Sequence, residues 1–302
     1  MLRDGSGFES DPVTIKRALI RALDRPGGRG LLAALATRWA RQLTGENVSI
    51  LYDDVWIHGV SSLGYLPDSS TFEYTRDRIL SFRSAFERSI RCAKDFWFYA
   101  YQPQPGDVIV DVGAGIGMDV LAFSPSVGAA GRVLAIEAHP TTCRLLRKLC
   151  YWNRLANTLC LQYAVADGSR AVYIDDREDH EANCISLAQG EGCMREQVPA
   201  HSLDEICKIH GLEHISFLKI NIEGAERLAI GGMKYMIRRT NQVCIACHDF
   251  RAASGDGDEF RTRDAVIGFL RESGFTILTR DGDPRSYVRD HIHGIANHQL
   301  AS

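Results

Sequence analysis

Asp111, the glycines 113, 115 and 117, and Glu137 are the residues whose types and spacing point most directly to chemistry. They lie in Asp107-Val-Ile-Val-Asp-Val-Gly-Ala-Gly-Ile-Gly117 and in Val133-Leu-Ala-Ile-Glu137, about twenty residues later. The glycines free the backbone to turn tightly and to approach a ligand without Cβ atoms in the way. An acid at the end of a second apolar run can accept hydrogen bonds from both ribose hydroxyls of a nucleoside. The spacing also separates two cofactors. A dinucleotide loop wants Gly-x-Gly-x-x-Gly, so that a diphosphate rests on a helix N-terminus. Here Gly117 comes one residue early. The tighter loop suits a cofactor without phosphates, whose methionine ammonium can pair with Asp111 or with nearby loop amides. S-adenosyl-L-methionine meets that description; NAD does not.

Other residues fall around this frame. Gly113, Ala114, Gly115 and Gly117 form the expected cofactor loop, and Ala138 follows Glu137. Ala164-Val-Ala-Asp167 is expected to bracket the adenine, with Asp167 near its amino group. His139 either lines the adenosine pocket or makes the turn into the helix opened by Pro140. Groups that bind or react stand beyond the carboxyl ends of strands in open α/β sheets. His248, directly after a predicted strand, is therefore the candidate base, with an ordinary pKa near neutrality. Asn221 and Glu223 are expected to face cofactor or substrate. Glu226 either joins them or favours a helix N-terminus through its dipole.

These residues need a sheet to position them. Alternating apolar runs and amphipathic stretches predict strands near 107–112, 132–136, 159–164, 215–220, 242–247, 275–279 and 291–297. Helices are predicted near 117–127, 140–154, 202–209, 224–237 and 262–273. Such an order gives an α/β, doubly wound, Rossmann-like fold with a mostly parallel seven-stranded sheet. It occupies 101–302. Residues 1–100 read as an added N-terminal layer: two helices over 13–43 split by Pro26-Gly-Gly28, two short strands over 47–58, and a helix over 76–99 ending in Phe96-Trp-Phe-Tyr99. A polar, irregular stretch covers roughly 175–197.

Phe217-Leu-Lys-Ile-Asn-Ile-Glu-Gly-Ala-Glu226, with His201-Ser-Leu-Asp204 and the glycine loop, resembles the FkbM family of class I S-adenosylmethionine-dependent methyltransferases. The resemblance spans about residues 95 to 250. It implies O-methylation of a hydroxyl on a sugar, glycan, lipid or natural-product small molecule. Two positions depart from the family pattern. The acid after Lys-Ile is Asn221, and the acid expected two residues before His248 is Ala246. Asn221 keeps the size of Asp but cannot act as a base, so no metal is assigned. A second reading is a non-catalytic relative that retains the fold for binding or regulation.

Bulk properties exclude other classes. The 302 residues carry a net charge of −3, with no global basic field for nucleic acid. No apolar run reaches the length of a membrane helix, and the first residues lack a secretory apolar core. Nine cysteines without framework spacing favour reduced thiols, hence a cytoplasmic protein. Cys244-Ile-Ala-Cys247-His248 matches a haem-attachment pattern, yet it continues a buried strand in which cysteine serves as a small apolar filler. The expected partner is a small hydroxylated acceptor. A homo-oligomer is compatible with the aromatic cluster at 96–99, which suits a subunit contact or a pocket wall. The basic helix face of Lys16, Arg17, Arg21 and Arg25 reads as solvated.

Overall fold

A computed structural model describes residues 12–175, 185–186 and 195–300. The chain divides into two compact units, Met1–Glu87 and Arg88–Ser302.

In the first unit, helices α1 (Pro12–Leu23) and α2 (Arg29–Thr44) precede a three-stranded antiparallel meander, β1 (Val48–Asp53), β2 (Val55–Val60) and β3 (Gly64–Pro67). Asp54 makes the β1–β2 turn in the left-handed region, at φ 61°, a conformation Asp tolerates better than most residues. The third strand is absent from the expected pair, since four residues ending in proline leave too little periodicity to read. Trp56 is fully buried among Leu32, Ala36, Val48 and Phe82, and its indole N–H donates to Asp24 at 3.2 Å. Helix α3 spans Arg76–Phe96.

The second unit is the doubly wound domain. Its elements are β4 (Val108–Val112), α4 (Val120–Val127), β5 (Arg132–Ile136), α5 (Pro140–Trp152), β6 (Thr158–Leu161), β7 (Ala164–Val165), β8 (Arg170–Asp175), β9 (Ile185–Ser186), β10 (Arg195–His201), α6 (Leu203–Ile209), β11 (Ile215–Ile220), α7 (Glu226–Gly231), β12 (Thr240–Ala246), α8 (Asp249–Ala253), α9 (Arg263–Glu272), β13 (Phe275–Leu278), α10 (Ser286–Arg289), β14 (His291–Ala296) and α11 (Asn297–Leu300). The seven-stranded sheet has the order β13-β14-β12-β11-β4-β5-β6. Strands β12, β11, β4, β5 and β6 run parallel, and β14 is antiparallel to both its neighbours. The chain starts at β4, proceeds outward through β5 and β6, then returns to β11 on the other side. The switch point therefore lies between the ends of β4 and β11, where open α/β sheets bind ligands.

Both faces of the sheet are covered, which is why its strands read as continuous apolar runs. Val110, Val112, Leu134, Leu218 and Ile245 pack with Leu203 and Ile206 of α6 and Val266 of α9. On the opposite face Ile109, Val133, Phe217 and Cys244 meet Ala93, Trp97, Tyr101 and Phe123. Trp97 and Phe98 of the aromatic cluster thus belong to this core, while Tyr99 is half exposed beneath the Arg280 guanidinium, 4.6 Å from its ring.

Three segments differ from expectation. The run predicted as a strand over 159–164 ends at Leu161, and Ala164–Val165 instead joins a separate four-stranded sheet of order β7-β10-β8-β9. The polar stretch at 175–197 lies largely outside the described residues, but its end opens β10, paired with β8 from Arg195 opposite Asp175. The helix predicted over 224–237 stops at Gly231 and resumes only as a 3₁₀ turn at Met236–Arg239. Gly231-Gly232 breaks it: a Cβ on Gly232 would stand 2.0 Å from the Ala166 carbonyl, so the backbone packs too closely there for a side chain.

Candidate active site

The glycine loop leaves β4 under three constraints. Gly113 has φ 74°, and a Cβ on it would lie 1.9 Å from the Asn221 carbonyl oxygen. Only glycine lets the β4 and β11 ends come that close. The Gly113 and Ala114 amides donate to Ile136 O at 2.9 and 3.0 Å, tying the loop to β5. From below, Lys219 Nζ donates to Gly113 O at 2.7 Å. Gly117, at φ 97°, turns inward against Leu146 and Leu149 of α5.

Glu137, one residue beyond β5, is 9% exposed, and backbone amides grip its carboxylate. Gly115 N donates to Oε2 at 2.8 Å and His139 N to Oε1 at 2.9 Å. Burial raises its pKa, while these two amides act in the opposite direction. Each oxygen of an ionised carboxylate has a second lone pair left to offer. His139 itself caps α5, its ring accepting from Thr142 N at 3.3 Å, with Pro140 at the first helical position. It is the turn into the helix, not a pocket wall.

These elements enclose a cavity of about 310 Å³ at the switch point. Gly113, Ala114, Gly115, Glu137 and Ala138 line it, as do Asn221 and Glu223 from the loop after β11. Tyr163, Val165 and Ile174 supply an apolar wall, Ile174 coming from the small sheet. Asp119, just past the third glycine, also lines it and received no role from the sequence. Asp119, Glu137 and Glu223 put three carboxylates on the cavity, and no Lys or Arg lines it among the described residues. Such a lining suits a cationic ligand and opposes a diphosphate.

Three expected cofactor residues stand elsewhere. Asp111 is fully buried beneath the loop, its Oδ1 2.7 Å from Lys219 Nζ. The two are direct partners across β4 and β11, on the same face. Burial, opposed by the Lys219 charge, pushes Asp111 up to about 6. Burial also works against the Lys219 ammonium, but Asp111 and Asp119 hold its pKa above the usual range, so the lysine stays charged. Asp111 thus anchors Lys219 instead of meeting the cavity. Asp167 is exposed, pairs with Arg170 and does not line the cavity, whose lining on this segment stops at Val165. Gly117 lies behind the loop against α5.

His248 also departs from its expected role. It is 4% exposed, with Nδ1 3.0 Å from Glu226 Oε1 and Nε2 3.2 Å from Glu223 Oε1. Both ring nitrogens are committed to carboxylates. Burial opposes the charged ring, but the two glutamates prevail and raise its pKa to about 9. A histidine so held is an imidazolium at neutral pH and cannot take up a proton. Glu226 is fully buried and also accepts from Gly224 N at 3.3 Å. Glu223 sits at φ 53° and is bound on its other side by Arg251 at 2.8 Å. Burial raises the Glu223 pKa, but His248 and Arg251 outweigh it and keep the carboxyl below its usual range. Arg251 in turn lies 4.0 Å over the Phe260 ring and pairs with Asp256 at 2.8 Å. Asp249 accepts from the amides of Thr262 and Arg263 and so fixes the start of α9. Among the described residues no group of three or more His, Cys, Asp or Glu could hold a metal ion, and no helix is long and apolar enough to cross a membrane.

The His248 clamp makes stability depend on pH. Its folded pKa lies above the unfolded value of 6.5, so the stabilisation is complete below about pH 6.5 and is lost as pH rises through about 9. The shift corresponds to roughly 3 kcal/mol. Urea unfolding at intervals from pH 6 to 10 should show that decline in the native protein and a much flatter profile in His248→Gln. Identical profiles would exclude the clamp.

A glycine loop after the first strand of the switch point, a carboxylate after the next strand and an antiparallel strand near one sheet edge define a doubly wound, Rossmann-like domain with its cavity at the switch point. The methyltransferase FkbM domain model matches residues 111–277, more than half of the chain, and the chain belongs to that family. Membership makes it a methyltransferase with S-adenosyl-L-methionine as methyl donor. The 31-O-demethyl-FK506 methyltransferase FkbM of Streptomyces tacrolimicus is 28% identical over 228 residues, covering 66% of this chain and 83% of that protein. Among solved structures, the methyltransferase FkbM of Methylobacillus flagellatus KT aligns at 15% identity with a TM-score of 0.46, over 72% of this chain. This chain spans about half, 51%, of that one. Aeropyrum pernix fibrillarin, solved with bound S-adenosyl-L-methionine, aligns at 14% identity over 63% of this chain and 66% of its own length, with a TM-score of 0.38.

Proposed function

We propose that the protein transfers a methyl group to a hydroxyl oxygen of a sugar, glycan or natural-product small molecule. The observation that carries this reading is the switch-point cavity, in which Glu137 closes the β5 side and Asn221 and Glu223 close the β11 side. The relative from Streptomyces tacrolimicus, whose name specifies an O-demethyl substrate, supports oxygen as the acceptor atom.

The cavity suits the cofactor. Glu137 offers its remaining lone pairs to the ribose hydroxyls, and Tyr163, Val165 and Ile174 give adenine an apolar wall. Asp119, which lines the cavity, is the carboxylate for the methionine ammonium, in place of Asp111 or the loop amides. When bound, S-adenosyl-L-methionine supplies an electrophilic methyl on a sulfonium. The chain's own work is then positioning and exclusion of water. Glu223, kept ionised by His248 and Arg251, accepts a hydrogen bond from the acceptor hydroxyl, turns its oxygen lone pair toward the methyl and receives the proton as the new bond forms. Asn221 offers amide N–H and C=O groups to the acceptor. His248 acts through Glu223 as a positioning residue.

With an acceptor in hand, Glu223→Gln should lower kcat about 100-fold, within the range for a general base. Affinity for S-adenosylhomocysteine should stay within about threefold of the native value. Unchanged kcat would remove Glu223 from the reaction.

A further inference from the structure

The cofactor site leaves a pair of thiols unused. Cys150, near the end of α5, and Cys160, on the edge strand β6, hold their sulfurs 3.5 Å apart. The turn between them is already fixed: Leu155 N donates to Cys150 O at 3.0 Å, and Asn157 ties the turn to Ser124 and Gly128. A disulfide needs the sulfurs to close to about 2.05 Å, a movement that side-chain rotation and a small shift of the helix end can supply. We propose that Cys150 and Cys160 form an oxidisable dithiol, a modification site in which peroxide closes a disulfide between α5 and β6.

The chemistry has a defined direction. Cys160 is the half-buried partner, while Cys150 is 7% exposed. The Cys150 thiol stabilises a Cys160 thiolate by hydrogen bonding, and Arg147 adds its positive charge, so Cys160 ionises more easily than an ordinary cysteine despite its burial. The Cys160 thiolate attacks a peroxide oxygen; the O–O bond breaks, hydroxide leaves and Cys160 becomes a sulfenic acid. The Cys150 sulfur then attacks the Cys160 sulfur. The S–O bond breaks, the Cys150 proton leaves with that oxygen as water, and the S–S bond forms. Two thiols and one hydrogen peroxide thus give one disulfide and two waters.

Closing the pair reaches the glycine loop. Leu146 and Leu149, on the same helix as Cys150, pack where a Cβ on Gly117 would stand, at 2.7 and 3.2 Å. Drawing Cys150 toward β6 shifts that support, so oxidation weakens cofactor binding; this consequence rests on the cofactor reading, whereas the dithiol does not.

The test treats the full chain with one equivalent of hydrogen peroxide and maps disulfide-linked peptides by mass spectrometry. The expected product is a Cys150–Cys160 link, absent in Cys160→Ser. In Cys150→Ser, Cys160 should instead be trapped by dimedone as a sulfenic acid. Fully reduced peptides from folded, treated protein, or a link through Cys143, would overturn the dithiol. Calorimetry with S-adenosylhomocysteine should show at least threefold weaker binding to the oxidised form, reversed by dithiothreitol. Unchanged affinity in linked protein would overturn the coupling to the loop.

Discussion

Glu137→Ala is expected to weaken binding of both S-adenosyl-L-methionine and S-adenosylhomocysteine by about 100-fold or more while leaving the fold intact. Hydrogen bonds to a charged group contribute about 1.5–3 kcal/mol each. Losing two ribose hydroxyls therefore costs about 3 kcal/mol at the least, which is on the order of 100-fold in Kd. The substitution also strands the amides of Gly115 and His139, which now donate to the two carboxylate oxygens. Loop order should fall with affinity. Glu137→Gln keeps one acceptor oxygen and should lose only about tenfold. Calorimetric titration checks both variants, with circular dichroism to confirm folding. An unchanged Kd in Glu137→Ala would place the ribose elsewhere.

Lys219→Met should carry the largest cost in stability. The ammonium is enclosed with Asp111 at 2.7 Å, Asp119 at 3.6 Å and the Gly113 carbonyl at 2.7 Å, under the face of Trp97. Removing one partner of a buried ion pair costs about 3–5 kcal/mol, because the other charge remains without compensation. Asp111 can escape by taking up a proton. Its folded pKa is already raised to about 6, and loss of the lysine pushes it further up. For an acid whose folded pKa exceeds its unfolded value, the folded state binds more protons and the penalty grows as pH rises. The variant should therefore suffer least near pH 5 and most near pH 8. Lys219→Met with Asp111→Asn should recover most of the loss, since neither charge is then buried alone. Guanidinium unfolding of the two single variants and the double variant measures the coupling. If the double variant is no more stable than Lys219→Met, the pair is not what holds the loop.

The glycine loop and the carboxylate beyond the next strand were legible in the sequence because their signals are local. Gly113 is required where the chain leaves β4, and Glu137 directly follows the next strand; each follows from a few adjacent residues. The sheet was legible because strands covered on both faces read as apolar runs. What escaped depended on register between distant segments. Lys219 meets Asp111 only because β11 lies beside β4 in one register, and that pairing takes Asp111 out of the cavity. Asp167 was misplaced because the short β7 diverges into a second sheet. His248 stood correctly at the end of its strand, but a helix start and a left-handed residue bring Glu226 and Glu223 to its two nitrogens. Asp119 carried a signal that could have been used: an acid two residues past the last glycine of the loop, it faces the same cavity as Gly113 and Gly115.

Methyl transfer itself decides whether this chain acts on a hydroxyl oxygen. The purified chain is incubated with isotopically labelled S-adenosyl-L-methionine and a panel of hydroxylated sugars and natural products, and products are located by mass spectrometry and NMR. Transfer to oxygen requires that S-adenosylhomocysteine form only with certain acceptors, that the label sit on a hydroxyl oxygen, and that Glu137→Ala and Glu223→Gln both suppress turnover. A label on carbon or nitrogen, or turnover that survives both substitutions, would contradict it.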